Sequence, residues 1–342
     1  MEDGRSTKDT RGVIMTTAII IVTSFFAFFL TLNGYYKWVV IRNEQEAHIK
    51  RSSHVKQKYD IVAFGSSYCR YAFDFSGTGL CGCNFGFVAQ FFYYTDKMIR
   101  AFAPTFKPGA IVVITVPDLV FAEVGNGLYH PQRYVLFLPK EVLGREYSWI
   151  NHLRYNYFPL TVDFKTNIKK MVKMLLHGRC TNTYETMLHN PLDRSGVMVE
   201  ALKRTEGWVK SFKLESTFNG NVPEELEQKF VQTTFLLQGM IQHCIEMGYK
   251  PCLVIPPVSR PMNTLLSDNF LETVLFNNIR RANVQNIPVF NYLRDPRFQD
   301  VDLYAANADF LNARGRKLFT QTFLKDLGHI SKKQSQPINF PS

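Results

Sequence analysis

The sequence predicts an α/β fold: a doubly wound, mostly parallel sheet with a helical insertion and one N-terminal transmembrane helix. Three observations lead there. A charge-free run of twenty residues, Val13 to Leu32, stands near the N-terminus. Short apolar, β-branched runs then recur between helical patterns: Ile61-Val62-Ala63-Phe64, Ala110 to Val116, Pro251 to Ile255 and Ile287 to Phe290. Strands alternating with helices make β-α-β units, whose parallel strands are buried on both faces. Finally, the first run ends in Gly65-Ser66-Ser67, and the carboxyl end of a buried strand is where open α/β sheets place ligands.

The 342 residues allow one large domain or two small ones, and 46% hydrophobic with 20% charged is a globular composition. The formal net charge of +11 is scattered over groups such as Lys50, Arg51, Lys56 and Lys58, then Lys165, Lys169, Lys170 and Lys173, then Arg314, Arg316 and Lys317. No basic run of five or six and no nucleic-acid motif accompanies it, so nucleic acid is not implied. The excess fits a solvated surface, anionic lipid headgroups or an acidic polymer. Of the six cysteines, Cys81 and Cys83 lack a histidine or second pair at ligand spacing, so no metal is expected. Cys244 and Cys252 sit in apolar contexts typical of core thiols. No cofactor is expected.

Val13 to Leu32 would span about 30 Å as a helix, the thickness of a bilayer core. Tyr35, Tyr36 and Trp38 follow as an interfacial aromatic belt would, and no small-residue cleavage pattern is present, so the helix reads as an uncleaved anchor. Arg5, Lys8 and Arg11 precede it and Lys37, Arg42, Lys50 and Arg51 follow, which leaves orientation open. Residues 33–58 read as a charged stalk. A helix is expected from Phe87 to Phe102, then a turn at Phe106-Lys107-Pro108-Gly109, then the second strand closed by Pro117-Asp118. Leu119 to Gly220 is rich in Tyr and Phe without a strand pattern and reads as an insertion, with a helix at Phe164 to Leu176. Asn221 is expected to cap the next helix, with Pro223 in its first turn and Glu224, Glu225 and Glu227 behind. Leu226, Phe230, Leu237, Ile241 and Ile245 share one face, and Gly248 ends it. Helices at Phe270 to Ala282 and Leu311 to Leu327 complete the fold, and residues 331–342 read as a disordered tail.

This order of parts resembles the SGNH/GDSL hydrolase superfamily, in the membrane-anchored form found beside bacterial surface-polysaccharide and cell-wall acylation systems. Phe64-Gly65-Ser66-Ser67, with Arg70 three residues on, resembles the first block and implies Ser67 as nucleophile. Asn84-Phe85-Gly86 resembles the second block and implies the amides of Ser67 and Gly86 as oxyanion donors. Asp302-Leu303-Tyr304 followed by Leu311-Asn312-Ala313-Arg314-Gly315 resembles the C-terminal block, D-x-x-H-L-N-x-x-G. The resemblance implies an SGNH-like, flavodoxin-like domain over 59–330, lying outside the cytoplasm with the N-terminus inside. It implies O-acyl (acetyl) transfer or removal on a surface polysaccharide, with a glycan or acyl donor and a membrane acyltransferase as partners.

One departure bears on chemistry. The catalytic Asp and His of the block fall on Asn307 and Phe310. Phenylalanine takes no proton, so it is no base for a serine hydroxyl. No third block, with its side-chain oxyanion donor, is visible. The alternative is therefore a catalytically inactive relative that binds a glycan or a partner acyltransferase. Of the eight histidines, His130 is the one placed to substitute as base, with Asp118 as its orienter; a loop histidine of the insertion is the plainer reading.

Overall fold

Five parallel strands pair in the order β2-β1-β3-β4-β5: β1 Tyr59–Phe64, β2 Gly82–Asn84, β3 Phe106–Thr115, β4 Lys250–Ile255 and β5 Val289–Asn291. The computed structural model describes residues 3–122, 131–177, 188, 194–305 and 308–332. Its principal helices are α1 (Asp3–Val39), α2 (Gln45–Ser52), α3 (Ser67–Ala72), α4 (Phe92–Phe102), α5 (Trp149–Tyr157), α6 (Phe164–His177), α7 (Arg194–Phe212), α8 (Glu224–Glu246), α9 (Arg260–Leu265), α10 (Asp268–Leu271), α11 (Asn277–Ala282) and α12 (Ala313–Lys332). A π-helical turn, Glu272–Phe276, joins α10 to α11. His130, Asn307, Cys180 and residues 333–342 of the tail expected to be disordered over 331–342 lie outside the described residues, whereas Ser331 and Lys332, its first two residues, continue α12. The described cysteines, Cys69, Cys81, Cys83, Cys244 and Cys252, are free thiols.

The contacts divide the chain into two compact units. One holds Ile49–Pro131, Phe137–Glu146 and Asn182–Ser342 and contains the sheet. Its central strands pair Ile61 with Ile111, Val62 with Val112, Ala63 with Val113 and Phe64 with Ile114. Side chains alternate between faces along each strand. On one face Ile61, Ala63, Val113 and Val254 pack with Phe319 and Phe323 of α12. On the other, Phe64 stacks on Phe85 with centroids 5.1 Å apart, and Phe85 meets Phe102 of α4 at 4.9 Å. Helices thus cover both faces, as a doubly wound sheet requires. In the order 2-1-3-4-5 the direction of winding reverses between β1 and β3, and the carboxyl ends of the strands at such a switch point are where open α/β sheets bind ligands.

Two local differences from the sequence reading have plain causes. The helix after the second block starts at Phe92, not Phe87. Phe87 N–H donates to Gly65 O at 2.9 Å and Gln90 N–H donates to Phe87 O at 3.1 Å, so this stretch turns along the strand edge first. Pro223 occupies the N-cap of α8 itself, leaving Asn221 outside.

The other unit holds Met1–His48, Gln132–Leu136 and Tyr147–Thr181. Within α1, Gly12–Val39 is long and apolar enough to cross a membrane. The expected stalk is not one. α1 runs on to Val39, and Tyr36 and Val40 are buried with Leu160 and Met171. Tyr36 is therefore a core residue rather than part of an aromatic belt, and its hydroxyl donates to Asn167 Oδ1 at 2.7 Å. Asn33 donates to Tyr157 O at 2.8 Å and accepts from Leu160 N–H at 3.2 Å.

Candidate functional site

β1 ends at a residue that must be glycine. Gly65 has φ +147°, and a Cβ there would lie 1.8 Å from Thr115 Oγ1, which donates to Phe64 O at 3.0 Å. The sharp turn leaves Ser66 as the N-cap and Ser67 as the first residue of α3, half-buried at the carboxyl edge of the sheet.

Gly86 packs directly against α3. A Cβ on it would lie 2.5 Å from Arg70 N and 2.7 Å from Cys69 Cβ, so the second block touches the helix that Ser67 opens. Asn84 holds the two together. Its Nδ2 donates to the carbonyls of Cys69 and Phe73, both at 2.9 Å, and of Arg70 at 3.3 Å, satisfying the C-terminal acceptors of α3. Its Oδ1 accepts from Gly86 N–H at 2.8 Å. The amide that the resemblance assigns to an oxyanion is thus engaged by Asn84.

The C-terminal block is built as a latch. Asn312 Nδ2 donates to Asp302 O at 2.8 Å and Tyr304 O at 3.1 Å, while its Oδ1 accepts from Gly315 N–H at 2.9 Å. A side chain at Gly315 would strike Leu303 O at 2.2 Å. The latch delivers Phe310 to α3. Its ring stacks on Tyr71 with centroids 4.7 Å apart and meets Tyr68 edge-on at 5.3 Å, and the Arg204 guanidinium lies 5.2 Å from its centroid. His130, the alternative base, and Asn307, at the block's Asp position, lie outside the described residues.

Beside Phe310 the structure assembles a cluster that sequence reasoning only touched. Asp118, at the end of β3, and Asp309, next to Phe310, are both buried. Arg204 of α7 pairs with Asp309 at 2.6 Å and lies over Trp208 at 5.1 Å. The Tyr68 hydroxyl is close enough to feel both carboxyls but forms no well-made hydrogen bond to either. Among the described residues, Asp118 Oδ2, Asp309 Oδ1 and Arg204 Nε likewise find no hydrogen-bond partner. Asp118 Oδ1 accepts from Leu119 N–H at 3.1 Å. Among the described residues, Tyr68, Asp309 and Arg204 are the charged and polar side chains that act on Asp118.

Burial governs the protonation of this cluster, since an unpaired buried carboxylate is costly. Desolvation, reinforced by the Asp309 charge, pushes Asp118 up to about 7. Burial also raises Asp309, against the pull of Arg204. The Tyr68 phenol is raised by burial and by the two acids. A carboxyl that titrates near neutrality has acid–base capacity at working pH.

The edge of β4 joins the same rim, because Ser259 N–H donates to Ala308 O at 3.1 Å, while the buried Ser259 Oγ has no partner among the described residues. Of the residues the sequence singled out, Ser67, Gly86, Asp118 and Phe310 thus gather around α3. The sequence reading missed Asp309, Arg204 and Tyr68. The one available signal was the carboxylate two residues after the position where the block expects it. Among the described residues no group of three His, Cys, Asp or Glu side chains could hold a metal. Comparison of the chain with protein-family models and with curated proteins finds no match.

Proposed function

We propose that this chain is a membrane-anchored protein of SGNH-like architecture in a bacterial cell envelope, with α1 spanning the membrane and the sheet-containing unit outside the cytoplasm. Its Ser67 crevice binds an acylated surface glycan or a partner acyltransferase rather than cleaving an ester. One observation carries this reading: Phe310 fills the histidine position of the C-terminal block and is packed on Tyr68 and Tyr71, the residues that follow Ser67. A serine hydroxyl is a weak nucleophile until a base takes its proton, and losing that base costs several orders of magnitude in rate. The engaged Gly86 amide points the same way. The test is hydrolysis of a small acyl ester by the purified full-length protein. Turnover should match that of Ser67→Ala; robust turnover abolished by Ser67→Ala would defeat the proposal. Alkaline phosphatase fused after Leu327 should be active if the domain lies outside.

A second reading, O-acyl transfer or removal through Ser67, is favoured by Asp118. It stands at the neighbouring strand edge and titrates near 7. In that case acyl transfer should fall with Asp118→Asn and rise with pH through neutrality.

A further inference from the structure

We infer that α5, α6 and the turn between them form a collar that lies in the headgroup layer of an anionic bilayer leaflet, around the end of α1. The inference rests on the reading that α1 spans the membrane. From Gly12 to Thr31 every residue but Phe29 is exposed. Twenty residues of helix rise about 30 Å, so this bare stretch matches a hydrocarbon core. The collar begins where the bare stretch ends. Phe29 stacks on Phe158 with centroids 6.3 Å apart, Asn33 bonds the backbone of Tyr157 and Leu160, and Tyr36 bonds Asn167. These contacts run from the last turn of the apolar stretch, at Phe29, to about one and a half turns past it, at Tyr36, and so hold α5 and α6 at the boundary between hydrocarbon and lipid headgroups.

What the collar exposes suits that layer. Trp149, Ile150, Tyr157, Phe164, Leu175 and Leu176 are all more than half exposed, Leu176 at 73%. In water such a set is costly to leave bare; at a membrane interface it is the apolar half of an amphipathic surface. On α6, Asn167 and Met171 are buried and Ile168 and Met174 partly so, whereas Lys165, Lys169 and Lys173 repeat every fourth residue on an exposed stripe. Phe164, Val172 and Leu175 lie between these two faces at helical spacing. Between Trp149 and His177, five Lys and Arg residues face one carboxylate, Asp163. Lysines above an apolar stripe fit anionic lipid, whose surface potential attracts basic groups within a Debye length.

The experiment uses the full chain in vesicles of phosphatidylcholine, with or without phosphatidylglycerol. Trp149 is made the only reporter by Trp38→Phe and Trp208→Phe. Alkaline carbonate extraction asks separately whether α1 spans. The expected result is a carbonate-resistant protein whose Trp149 emission is quenched by a headgroup-level nitroxide lipid. Quenching should be at least twofold stronger with phosphatidylglycerol, and Lys165→Glu, Lys169→Glu and Lys173→Glu together should remove that difference. A carbonate-resistant protein with Trp149 unquenched would overturn the collar alone. Quenching indifferent to lipid charge would overturn its preference for anionic lipid. Release by carbonate would overturn the anchor, and the collar with it.

Discussion

Phe310 lies flat on Tyr71, with ring planes 9° from parallel and Tyr68 closing the same ring at 85°. This contact is both the stability and the chemistry of the C-terminal block, because it ties residues 308–313 to α3. Phe310→Ala removes a buried ring and should cost about 3 kcal/mol or more of stability, read from urea unfolding of the detergent-solubilised chain. A cost below about 1 kcal/mol would show that the loop is not seated on α3.

Asp118 makes stability depend on pH. The unfolded carboxyl titrates at about 3.9, the native one at about 7. Below about pH 4 both states are protonated and the contribution is fully present. Between about pH 4 and 7 only the unfolded chain has released its proton, so stability falls by about 1.4 kcal/mol per pH unit until the native carboxyl ionises. Asp118→Asn removes this loss. The variant should melt above the wild type at pH 8 and close to it at pH 4, as followed by circular dichroism.

Arg204 is the counter-ion of a fully buried carboxylate. Arg204→Met leaves Asp309 unpaired and should cost about 3–5 kcal/mol. Adding Asp309→Asn should recover most of that loss, giving a coupling of more than about 1 kcal/mol in a double-mutant cycle. Additive costs would show that the pair does not form.

How much of this was legible in the sequence differs from element to element. β1, β3 and β4 were readable because a strand buried on both faces must be a continuous apolar run. β2 was not: Gly82, Cys83 and Asn84 carry no apolar pattern, and they pair because the exposed edge of β1 offers them hydrogen bonds. Ser67 was readable from the glycine that turns the chain. Asp309 was not, because its burial depends on Arg204, 105 residues earlier in a segment with no motif. Tyr36 misled for the same reason: an aromatic after an apolar helix looks interfacial until its partner, Asn167, is brought to it.

Gly65 should tolerate no side chain. Gly65→Ala places a methyl group on the Thr115 hydroxyl at a φ that L-residues rarely adopt, and should cost about 2 kcal/mol or more. Gly77→Ala serves as control, since it also has positive φ but nothing within 4 Å. Equal losses at both sites would show that backbone conformation alone, not the approach of β3, dictates the glycine.

Restoring the base is the most direct test of the crevice. Asn307→Asp with Phe310→His should raise ester hydrolysis above the wild-type rate, and Ser67→Ala should abolish the gain. No gain in a correctly folded double variant would mean that the Ser67 hydroxyl does not face residue 310.

Asn33 also sets an order of events in time. Its partners Tyr157 and Leu160 are 124 and 127 residues further along the chain. At roughly 5–20 residues per second the ribosome needs about 6–25 s to reach them. For that interval α1 carries a polar amide with no mate just past its apolar run, and α5 and α6 can only pack onto a helix already made. On the proposal that α1 spans the membrane, an Asn33→Leu chain would therefore insert more readily and mature less well, because the group that burdens the early intermediate is the one that fastens the finished unit.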